Sequence, residues 1–452
     1  MTGYISINQL IWRNMFVKQE RSIYNTGAMK LFGKKNCYVL MHKDIPVLKA
    51  DYSEVQHEFK DVMEILNETH LPIGCRKHGE LSLHRLNYWY IRRSIPGYRV
   101  GLSQLMSRLE VSHPMDLVEY THAVSVSDTY WLKKENENVE WKDVSFFSHS
   151  FDQAGFGSAM FASVANINPD RARVTPNSNT AGFHRKAWFE RNDGLVLLKG
   201  GYPFHQMEPV NEWLAYTLGT QLHLNVLPYH TEVYENALVS VCPCMTDENT
   251  DLVTAEMILM DCDAPKDELQ LSSYIAQLDR HGIKDARKKV SQQILLDYIL
   301  MNTDRHAQNM GILVDANTNT WIDTTPIFDT GTCLGCLVED NEILSEARQH
   351  ECTLLNRRHF DFDLLLNHID LDDYEFPKSL LEIPREYGNM LVRYQSVTGI
   401  TEERIENAYT LLYRQLLKIR KLARNRKYHI HLEVMIQVYF YVMEHKKQSS
   451  NR

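Results

Sequence analysis

Residues 294–336 read ILLDYILMNTDRHAQNMGILVDANTNTWIDTTPIFDTGTCLGC, an apolar helical pattern that turns abruptly polar over 302–309. Two β-like runs follow, at 311–314 and 321–328, with turn-forming residues between them. A second polar turn comes at 329–331. A hairpin formed by the two runs would bring both polar turns to one edge. The pattern therefore predicts a single site that is built from the two turns flanking a hairpin.

The residue types in these turns are those of magnesium-dependent phosphoryl transfer. Asp304 and Asn309 have the spacing with which a kinase catalytic loop places its base and its metal-binding amide. Asp329 opens an Asp-Thr-Gly turn in the place of the kinase Asp-Phe-Gly turn, whose Asp meets the metal. We predict Asp304 as the catalytic base and Asn309 and Asp329 as Mg²⁺ ligands. Alone, this spacing also fits a capped, solvated loop, but the helix and hairpin around it favour the catalytic interpretation.

The segment NTDRHAQN at 302–309, with FDTG at 328–331, resembles the catalytic segment of HipA-like serine/threonine kinases. The sequence Asp-Arg-His-x-x-Asn also resembles the phosphatidylinositol 3-/4-kinases. The resemblance to HipA-like proteins extends over residues 125–340. It implies a bacterial kinase that uses ATP and Mg²⁺ and phosphorylates a protein substrate, in some relatives as a toxin or stress-response enzyme with an antitoxin-type protein partner.

Two further residues of the polar turn need roles. His306 is a second candidate catalytic residue, and we expect it to support the loop or the metal site because Asp304 already fills the position of the general base. Arg305 could bind phosphate or pair with an acidic side chain, and both alternatives stay open. Asp297 is expected to be a helix residue and not a ligand.

Lys199 is the predicted phosphate-binding cation. It ends the apolar run 195–198, so a strand would direct it toward a cleft. Phosphoryl transfer needs such a cation, oriented by a helix carboxylate. Glu212 is the expected partner, on a helix whose first turn contains Pro209, and Glu208 is the second choice.

Ser178, Thr180 and Gly182 lie in a stretch, 166–182, that is rich in Asn, Pro, Ser, Thr and Gly. We predict that their backbone N–H groups cradle the nucleotide phosphates. A plain surface loop is the open alternative. Because the cradle would lie over the γ-phosphate, we also expect autophosphorylation at Ser178 or Thr180.

These elements predict an α+β fold: a bilobal protein-kinase-like arrangement with a small β-rich N-lobe, a helical C-lobe and an additional N-terminal α/β domain. The predicted division is an accessory domain of unknown role at 1–120, the N-lobe with its lead-in segment at 121–245, and the C-lobe at 246–452. The C-lobe carries the catalytic loop 302–309 and the metal turn 329–331.

Three local predictions accompany this division. We expect a hairpin over 37–48 and a helix over 52–66, whose apolar residues recur at helical spacing. We expect two strands within 225–245, of which the second would lead into the lobe hinge, where backbone groups near 241–245 would meet the adenine.

Composition limits the other classes of function. The chain has 452 residues, with 49 Lys and Arg against 58 Asp and Glu, a net charge of −9. This balance argues against general binding of nucleic acid or of an anionic membrane. The N-terminus lacks a secretory pattern, and the longest apolar-rich run, 432–443, is too short to cross a bilayer. We therefore expect a cytoplasmic protein.

Eight cysteines in so long a chain do not suggest a disulfide framework. The pairs Cys242/Cys244 and Cys333/Cys336 could each supply half of a zinc site, although the spacing of the first pair is poor for it. Buried, reduced cysteines are the preferred interpretation.

Two other functions compete with a protein kinase. A phosphatidylinositol-type lipid kinase would share the Asp-Arg-His-x-x-Asn sequence, but no membrane-targeting segment is evident. A nucleotide-binding pseudokinase scaffold is disfavoured because the base and metal positions are all filled.

Overall fold

The computed structural model describes residues 36–449 except 152, 162–172, 181, 193, 204, 266–269, 346–351 and 356. Within these ranges it describes side chains up to residue 425, except those of 153–154, 158–159, 179 and 357–360. Among the helices within these ranges, none combines the length and the apolar character that crossing a membrane requires.

The strands of the described residues, in chain order, are β1 (Cys37–His42), β2 (Ile45–Ser53), β3 (Glu58–Ile65), β4 (Arg76–Lys77), β5 (Glu80–Leu81), β6 (Tyr130–Lys134), β7 (Lys186–Arg191), β8 (Gly194–Gly200), β9 (His230–Tyr234), β10 (Ala237–Pro243), β11 (Thr250–Thr254), β12 (Asp304–His306), β13 (Gly311–Asp315), β14 (Trp321–Thr324), β15 (Cys352–Leu355) and β16 (Arg357–Phe360).

The α-helices of the same residues are α1 (Leu83–Ile91), α2 (Leu102–Arg108), α3 (Pro114–Tyr120), α4 (Trp141–Val144), α5 (Gln153–Phe161), α6 (Glu208–Gln221), α7 (Ala255–Asp261), α8 (Leu271–Arg280), α9 (Ala286–Leu300), α10 (Phe362–Leu365), α11 (Ile383–Arg393), α12 (Gln395–Thr398) and α13 (Glu402–Ser449). The chain is thus a mixture of helix and sheet, as predicted.

The N-terminal sheet has the strand order β3-β2-β1-β6. Side chains of β1 alternate between two apolar clusters: Tyr38 and Leu40 pack on one face, and Val39 and Met41 on the other. This two-residue period is what a strand covered on both faces requires. The predicted hairpin over 37–48 is confirmed as β1 and β2. Strand β6 lies beyond residue 120, so the sheet draws on both sides of that predicted boundary.

The predicted helix over 52–66 is wrong. This range contains the end of β2, a turn and the whole of β3. Strand β3 pairs antiparallel with β2, and Phe59 is buried while Val55, before the strand, is almost fully exposed. The apolar residues at helical spacing therefore do not lie on one buried face. Pairing with β2 and packing of Phe59 outweigh the local periodicity, which is how tertiary context overrides a sequence pattern.

A second, antiparallel sheet has the order β7-β8-β10-β9. Helix α6 contacts β8, β9 and β10 and buries Val210, Leu214 and Leu218 completely. Pro209 lies in its first turn, as predicted, where a missing N–H costs nothing. Sheet and helix together fix the ends of β8 and α6 relative to each other.

The largest apolar cluster of the described residues surrounds α9. Ile294, Leu295 and Tyr298 are buried in it, which confirms the predicted apolar helix before the polar turn. The helix ends at Leu300, and the next residue, Met301, has a left-handed φ of 52° that directs the chain into the turn. Strands β13 and β14 then form the predicted antiparallel hairpin.

Candidate active site

Lys199 and Glu212 form the predicted ion pair. Lys199 is the sixth residue of β8 and is buried, because β7 and β10 flank its strand. Its Nζ donates to Glu212 Oε1 over 2.6 Å. The hydroxyl of Ser240, on β10, donates to the other oxygen of Glu212. The Glu212 carboxylate thus has a partner on each oxygen. The sheet and α6 together fix its position, and with it the orientation of the Lys199 ammonium group.

The same ammonium group contacts Asp329, the first residue of the predicted metal turn. Burial opposes ionisation of this carboxyl, but the nearby ammonium groups, Lys199 first, hold the pKa of Asp329 well below its usual range. The Asp329 backbone is left-handed, with φ of 53°, and its N–H donates to the Tyr229 hydroxyl over 3.3 Å. Two predicted site residues that are far apart in sequence, Glu212 and Asp329, therefore contact the same ammonium group.

The catalytic-loop backbone is held by its own amide side chains. Asn302 donates to Asp297 over 2.7 Å and accepts from the Asp304 N–H over 3.0 Å. Asn309 Nδ2 donates to the Asp304 carbonyl over 3.0 Å. Within the described part of the chain, Asn309 Oδ1 meets no hydrogen-bond donor. That oxygen and the Asp329 carboxylate are hard oxygen ligands, and the donor set fits Mg²⁺.

Arg305 links the two turns. It is fully buried and pairs with Asp297 through Nε at 2.8 Å and Nη2 at 2.9 Å. Its Nη1 donates to the carbonyl oxygens of Asn309, at 2.5 Å, and Phe328, at 2.7 Å. The sequence left two roles open for Arg305, phosphate binding or pairing with an acidic side chain. In the structure Arg305 pairs with the acidic side chain of Asp297. Asp297 is a helix residue, as expected.

Asp304 and His306 lie at the open side of the loop. The Asp304 side chain is 49% exposed, and His306 Nε2 lies 3.8 Å from its Oδ2. His306 Nδ1 accepts from the Gln308 N–H over 3.3 Å, which leaves Nε2 to carry the ring proton. Partial burial raises the pKa of the Asp304 carboxyl, and His306 opposes this shift. A half-exposed carboxylate of raised basicity can take a proton from a hydroxyl group.

Ser178 lies in a short 3₁₀ turn, Pro176–Asn179, and Thr180 follows it; both residues are buried. The Ser178 hydroxyl donates to the Thr175 carbonyl over 3.0 Å, and the Thr180 hydroxyl to the Asn177 carbonyl over 3.0 Å. The backbone N–H groups of both residues also donate within the turn. Arg99 Nη1 donates to the Thr180 hydroxyl over 2.5 Å. Phosphate binding at these two residues stays a prediction, and it would require these hydrogen bonds to be exchanged.

Gly182 has a left-handed backbone, with φ of 94°, and its carbonyl accepts from Arg99 Nε over 3.2 Å. Beneath it lies Lys186, which the sequence reasoning missed. A Cβ placed on Gly182 would come within 2.8 Å of Lys186 Nζ. Burial, reinforced by the ammonium group of Lys199, lowers the pKa of Lys186 to about 7. The position of Lys186 beside Lys199 depends on the register of β7 with β8, which local sequence patterns do not specify.

Glu208 is buried close to the metal turn but does not pair with Lys199. The partner of Lys199 is therefore Glu212, the first choice, and not Glu208. Its Oε2 accepts from the Tyr202 N–H over 3.0 Å, and its Oε1 has no partner among the described residues. Burial raises the pKa of Glu208 to about 7. A Cβ on Gly331 would lie 2.9 Å from the Glu208 Cβ, so this close approach requires glycine.

Within the described ranges, the cysteines do not join any group of three or more side chains that are close enough together to bind one metal ion. Cys242, Cys333 and Cys336 are buried and reduced, and burial raises their thiol pKa values. Among the described residues, one group of side chains is close enough together to bind a metal ion. It consists of His57, Asp116 and Glu119 and contains no cysteine. The preferred interpretation of the sequence, buried reduced cysteines, agrees with this arrangement.

No protein-family model matches the sequence, and no curated protein does either. Among solved structures, one match is the Helicobacter pylori proinflammatory kinase CtkA, 20% identical, covering 54% of this chain and 95% of that chain, with a TM-score of 0.41. Another is HipA in the Shewanella oneidensis MR-1 toxin–antitoxin complex with HipB and operator DNA, 11% identical, covering 85% and 99%, with a TM-score of 0.48. Both TM-scores lie below 0.5.

Proposed function

We propose that this chain is an ATP-dependent serine/threonine protein kinase. The observation that carries the proposal is the contact of one buried ammonium group, Lys199 Nζ, with both Glu212 and Asp329. These residues come from a strand, a helix and a turn. A lysine held by a helix carboxylate beside a metal-binding aspartate is the arrangement that phosphoryl transfer requires.

The proposed architecture is bilobal, with an N-lobe and its lead-in segment at 121–245, a C-lobe at 246–452 and an accessory domain of unknown role at 1–120. Support comes from the chain order of the site: Lys199 and Glu212 precede the proposed boundary, whereas Asn309 and Asp329 follow it. The nucleotide would bind where these groups meet.

Each group has a role in the proposed reaction. Bound Mg²⁺ would neutralise the developing charge on the phosphates. Asn309 Oδ1 and the Asp329 carboxylate would hold the ion, and Lys199 would hold phosphate oxygens. Asp304 takes the proton of the acceptor hydroxyl. The oxygen of that hydroxyl bonds to the γ-phosphorus, and the bond between the γ-phosphorus and the bridging oxygen of ADP breaks. His306 supports the loop beside Asp304, where its Nδ1 accepts from the Gln308 N–H.

Arg305 holds the base and the metal ligands in their relative positions, because its guanidinium group donates to the carbonyl oxygens of Asn309, in the catalytic loop, and of Phe328, the residue before the metal turn. Positioning of this kind supplies much of the catalysis in phosphoryl transfer, since the protein does little covalent chemistry.

The proposal includes a bacterial, cytoplasmic protein with a protein substrate, no nucleic-acid or membrane ligand, and an antitoxin-type protein partner. These points rest on the sequence and its resemblance to HipA-like kinases. A toxin or stress-response role rests on that resemblance alone.

The test is transfer of radiolabel from [γ-³²P]ATP with Mg²⁺. Purified wild type is compared with Asp304→Asn and with Asp372→Asn, which changes an exposed aspartate outside the site. We expect wild type and the Asp372 variant to label proteins of a cell lysate, and Asp304→Asn to lose roughly 10²- to 10⁴-fold in rate. Label on phosphatidylinositol vesicles and not on protein would favour the lipid kinase. Binding of Mg·ATP without any transfer would favour the pseudokinase.

A further inference from the structure

Glu256 joins the catalytic loop to the region of helix α1. It is the second residue of α7, and its side chain is 17% exposed. Its Oε1 accepts from Gln308 Nε2 over 3.2 Å. The same oxygen accepts from the Tyr88 hydroxyl over 3.0 Å and from Arg92 Nη2 over 2.8 Å. One carboxylate oxygen thus holds a side chain of the catalytic loop together with two side chains of the α1 region.

The backbone at the start of α7 contacts the same loop. The Ala255 N–H donates to the Met310 carbonyl over 2.8 Å. The Glu256 N–H donates to the Ala307 carbonyl over 3.0 Å. N–H groups in the first turn of a helix have no acceptor within the helix, so acceptors from outside satisfy them. A shift of the start of α7 would therefore be passed directly to residues 307–310.

Helix α1 is fastened to α7 at two places. At the start of α7, Tyr88 and Arg92 hold the Glu256 carboxylate, and the Arg92 guanidinium group lies 4.9 Å from the centroid of the Tyr88 ring. Beyond the other end of α7, Arg85 Nη2 donates to Asp263 Oδ1 over 2.5 Å. The first fastening reaches the catalytic loop, and the second lies at the opposite end of α7. The two can therefore be disturbed separately.

Gln308 connects this support to the proposed site. It lies between His306 and Asn309, and its N–H donates to His306 Nδ1 over 3.3 Å. The Asn309 N–H donates to the His306 carbonyl over 2.9 Å. A partner that fixes the Gln308 side chain therefore limits movement of the turn that carries a proposed metal ligand. Phosphoryl transfer depends on such positioning, because the protein does little covalent chemistry.

We propose that Glu256 is a positioning residue, which fastens the catalytic loop to α1 and so sets the positions of Asp304 and Asn309. This inference rests on the proposed function, because the loop carries the proposed base. It also gives a role in the reaction to the α1 region. Arg305 fastens the loop to α9, and Glu256 fastens it to α1, so the loop has two supports from different elements.

The first experiment compares initial rates of label transfer from [γ-³²P]ATP to proteins of a cell lysate over a range of Mg·ATP concentrations. Glu256→Ala removes the carboxylate, and Glu256→Gln keeps an acceptor oxygen. Asp263→Asn is the matched control, because it weakens only the second fastening of α1 to α7. We expect Glu256→Ala to lower the saturated rate about tenfold or more without changing the half-saturating ATP concentration. Glu256→Gln should restore part of the rate, and Asp263→Asn should keep it.

A double-mutant comparison tests whether the effect passes through Gln308. Gln308→Leu removes the link to the loop and leaves Glu256 with its partners from the α1 region. We expect Glu256→Ala to lower the rate much less in the Gln308→Leu protein than in wild type, because both changes break the same contact. Two losses that simply add would contradict a relay through Gln308.

Hydrogen exchange of the backbone amides of residues 302–310 gives a readout that needs no activity. Glu256→Ala should speed this exchange, because the loop loses a support, and Asp263→Asn should not. Unchanged exchange in Glu256→Ala would overturn the inference.

The remaining outcomes separate the inference from the proposed function. If Glu256→Ala lowers the rate no more than Asp263→Asn does, the inference is wrong and the kinase proposal stands. A rise in the half-saturating ATP concentration that matches the loss of rate would place Glu256 in nucleotide binding and also contradict it. A wild-type protein that transfers no label overturns the proposed function, and with it the role of Glu256 in the reaction.

Discussion

Arg305 and Asp297 form a fully buried, two-armed ion pair, and the guanidinium group that completes it also donates to the carbonyl oxygens of Asn309 and Phe328. One side chain therefore fastens a residue of the catalytic loop and the residue before the metal turn to helix α9. The relative position of the proposed base and metal ligands depends on this hub.

Asp297→Asn should destabilise the protein strongly, because it leaves the buried guanidinium group of Arg305 without a counter-charge. We expect the free energy of unfolding to fall by about 3–5 kcal/mol, measured by denaturant titration. Asp363→Asn is the control, since it breaks the exposed pair with Lys418 and should cost less than about 1 kcal/mol. Equal losses in the two variants would show that Arg305 is not a structural hub.

Glu208 should make stability depend on pH. Burial raises its pKa to about 7, whereas an unfolded glutamate titrates at about 4.3. Between these values the folded state binds more protons than the unfolded state, so the free energy of unfolding falls as pH rises. The fall should be on the order of 3 kcal/mol from pH 4.5 to pH 7, and it should level off above pH 7.

Glu208→Gln removes this titration. We expect the variant to match wild type near pH 4.5 and to unfold at a higher temperature near pH 8. Glu386→Gln, an exposed glutamate on α11, should leave the pH dependence of wild type intact. A Glu208→Gln protein whose stability falls with pH as steeply as that of wild type would contradict the assignment.

The Asp329 carboxylate should account for the effect of Mg²⁺ on nucleotide binding. Wild type should bind ATP more tightly with Mg²⁺ than with EDTA, and Asp329→Asn should lose most of this difference, because a neutral amide is a weaker ligand for a hard cation. Asp323→Asn, on β14, is the control, since Asp323 pairs with Lys289. An unchanged Mg²⁺ dependence in Asp329→Asn would rule out its role as a metal ligand.

Autophosphorylation at Ser178 or Thr180 remains a prediction from the sequence. Both hydroxyl groups are buried and donate to backbone carbonyls, so phosphorylation requires the 3₁₀ turn to leave its present contacts. Phosphopeptide mapping of an active preparation should find phosphate on one of them, and protease sensitivity near residue 180 should rise with it. An active preparation in which both residues are unmodified would discard the prediction.

Much of the candidate site was predictable from local sequence. The hairpin after the polar turn follows from two β-like runs around turn residues, and the Lys199–Glu212 pair follows from an apolar strand and a helix begun by Pro209. In both cases short-range pattern and long-range packing favour the same structure. Agreement of this kind makes sequence-based reasoning reliable.

The remaining features depend on pairing that no local pattern specifies. Residues 52–66 have helical spacing but join β2, and the predicted helix was wrong for that reason. Lys186 becomes notable only because the register places it opposite Lys199. Arg305 had two open roles until the position of Asp297, eight residues earlier on α9, decided between them.

The most direct test of the central claim is a crystal structure with Mn²⁺ and a non-hydrolysable ATP analogue. The account predicts an anomalous peak between the analogue's phosphates and the side chains of Asn309 and Asp329, with ligand oxygens at about 2.0–2.3 Å. Lys199 should contact a phosphate oxygen, and Asp304 should face the γ-phosphate. A peak held by other side chains, or a nucleotide bound away from Lys199, would contradict the account.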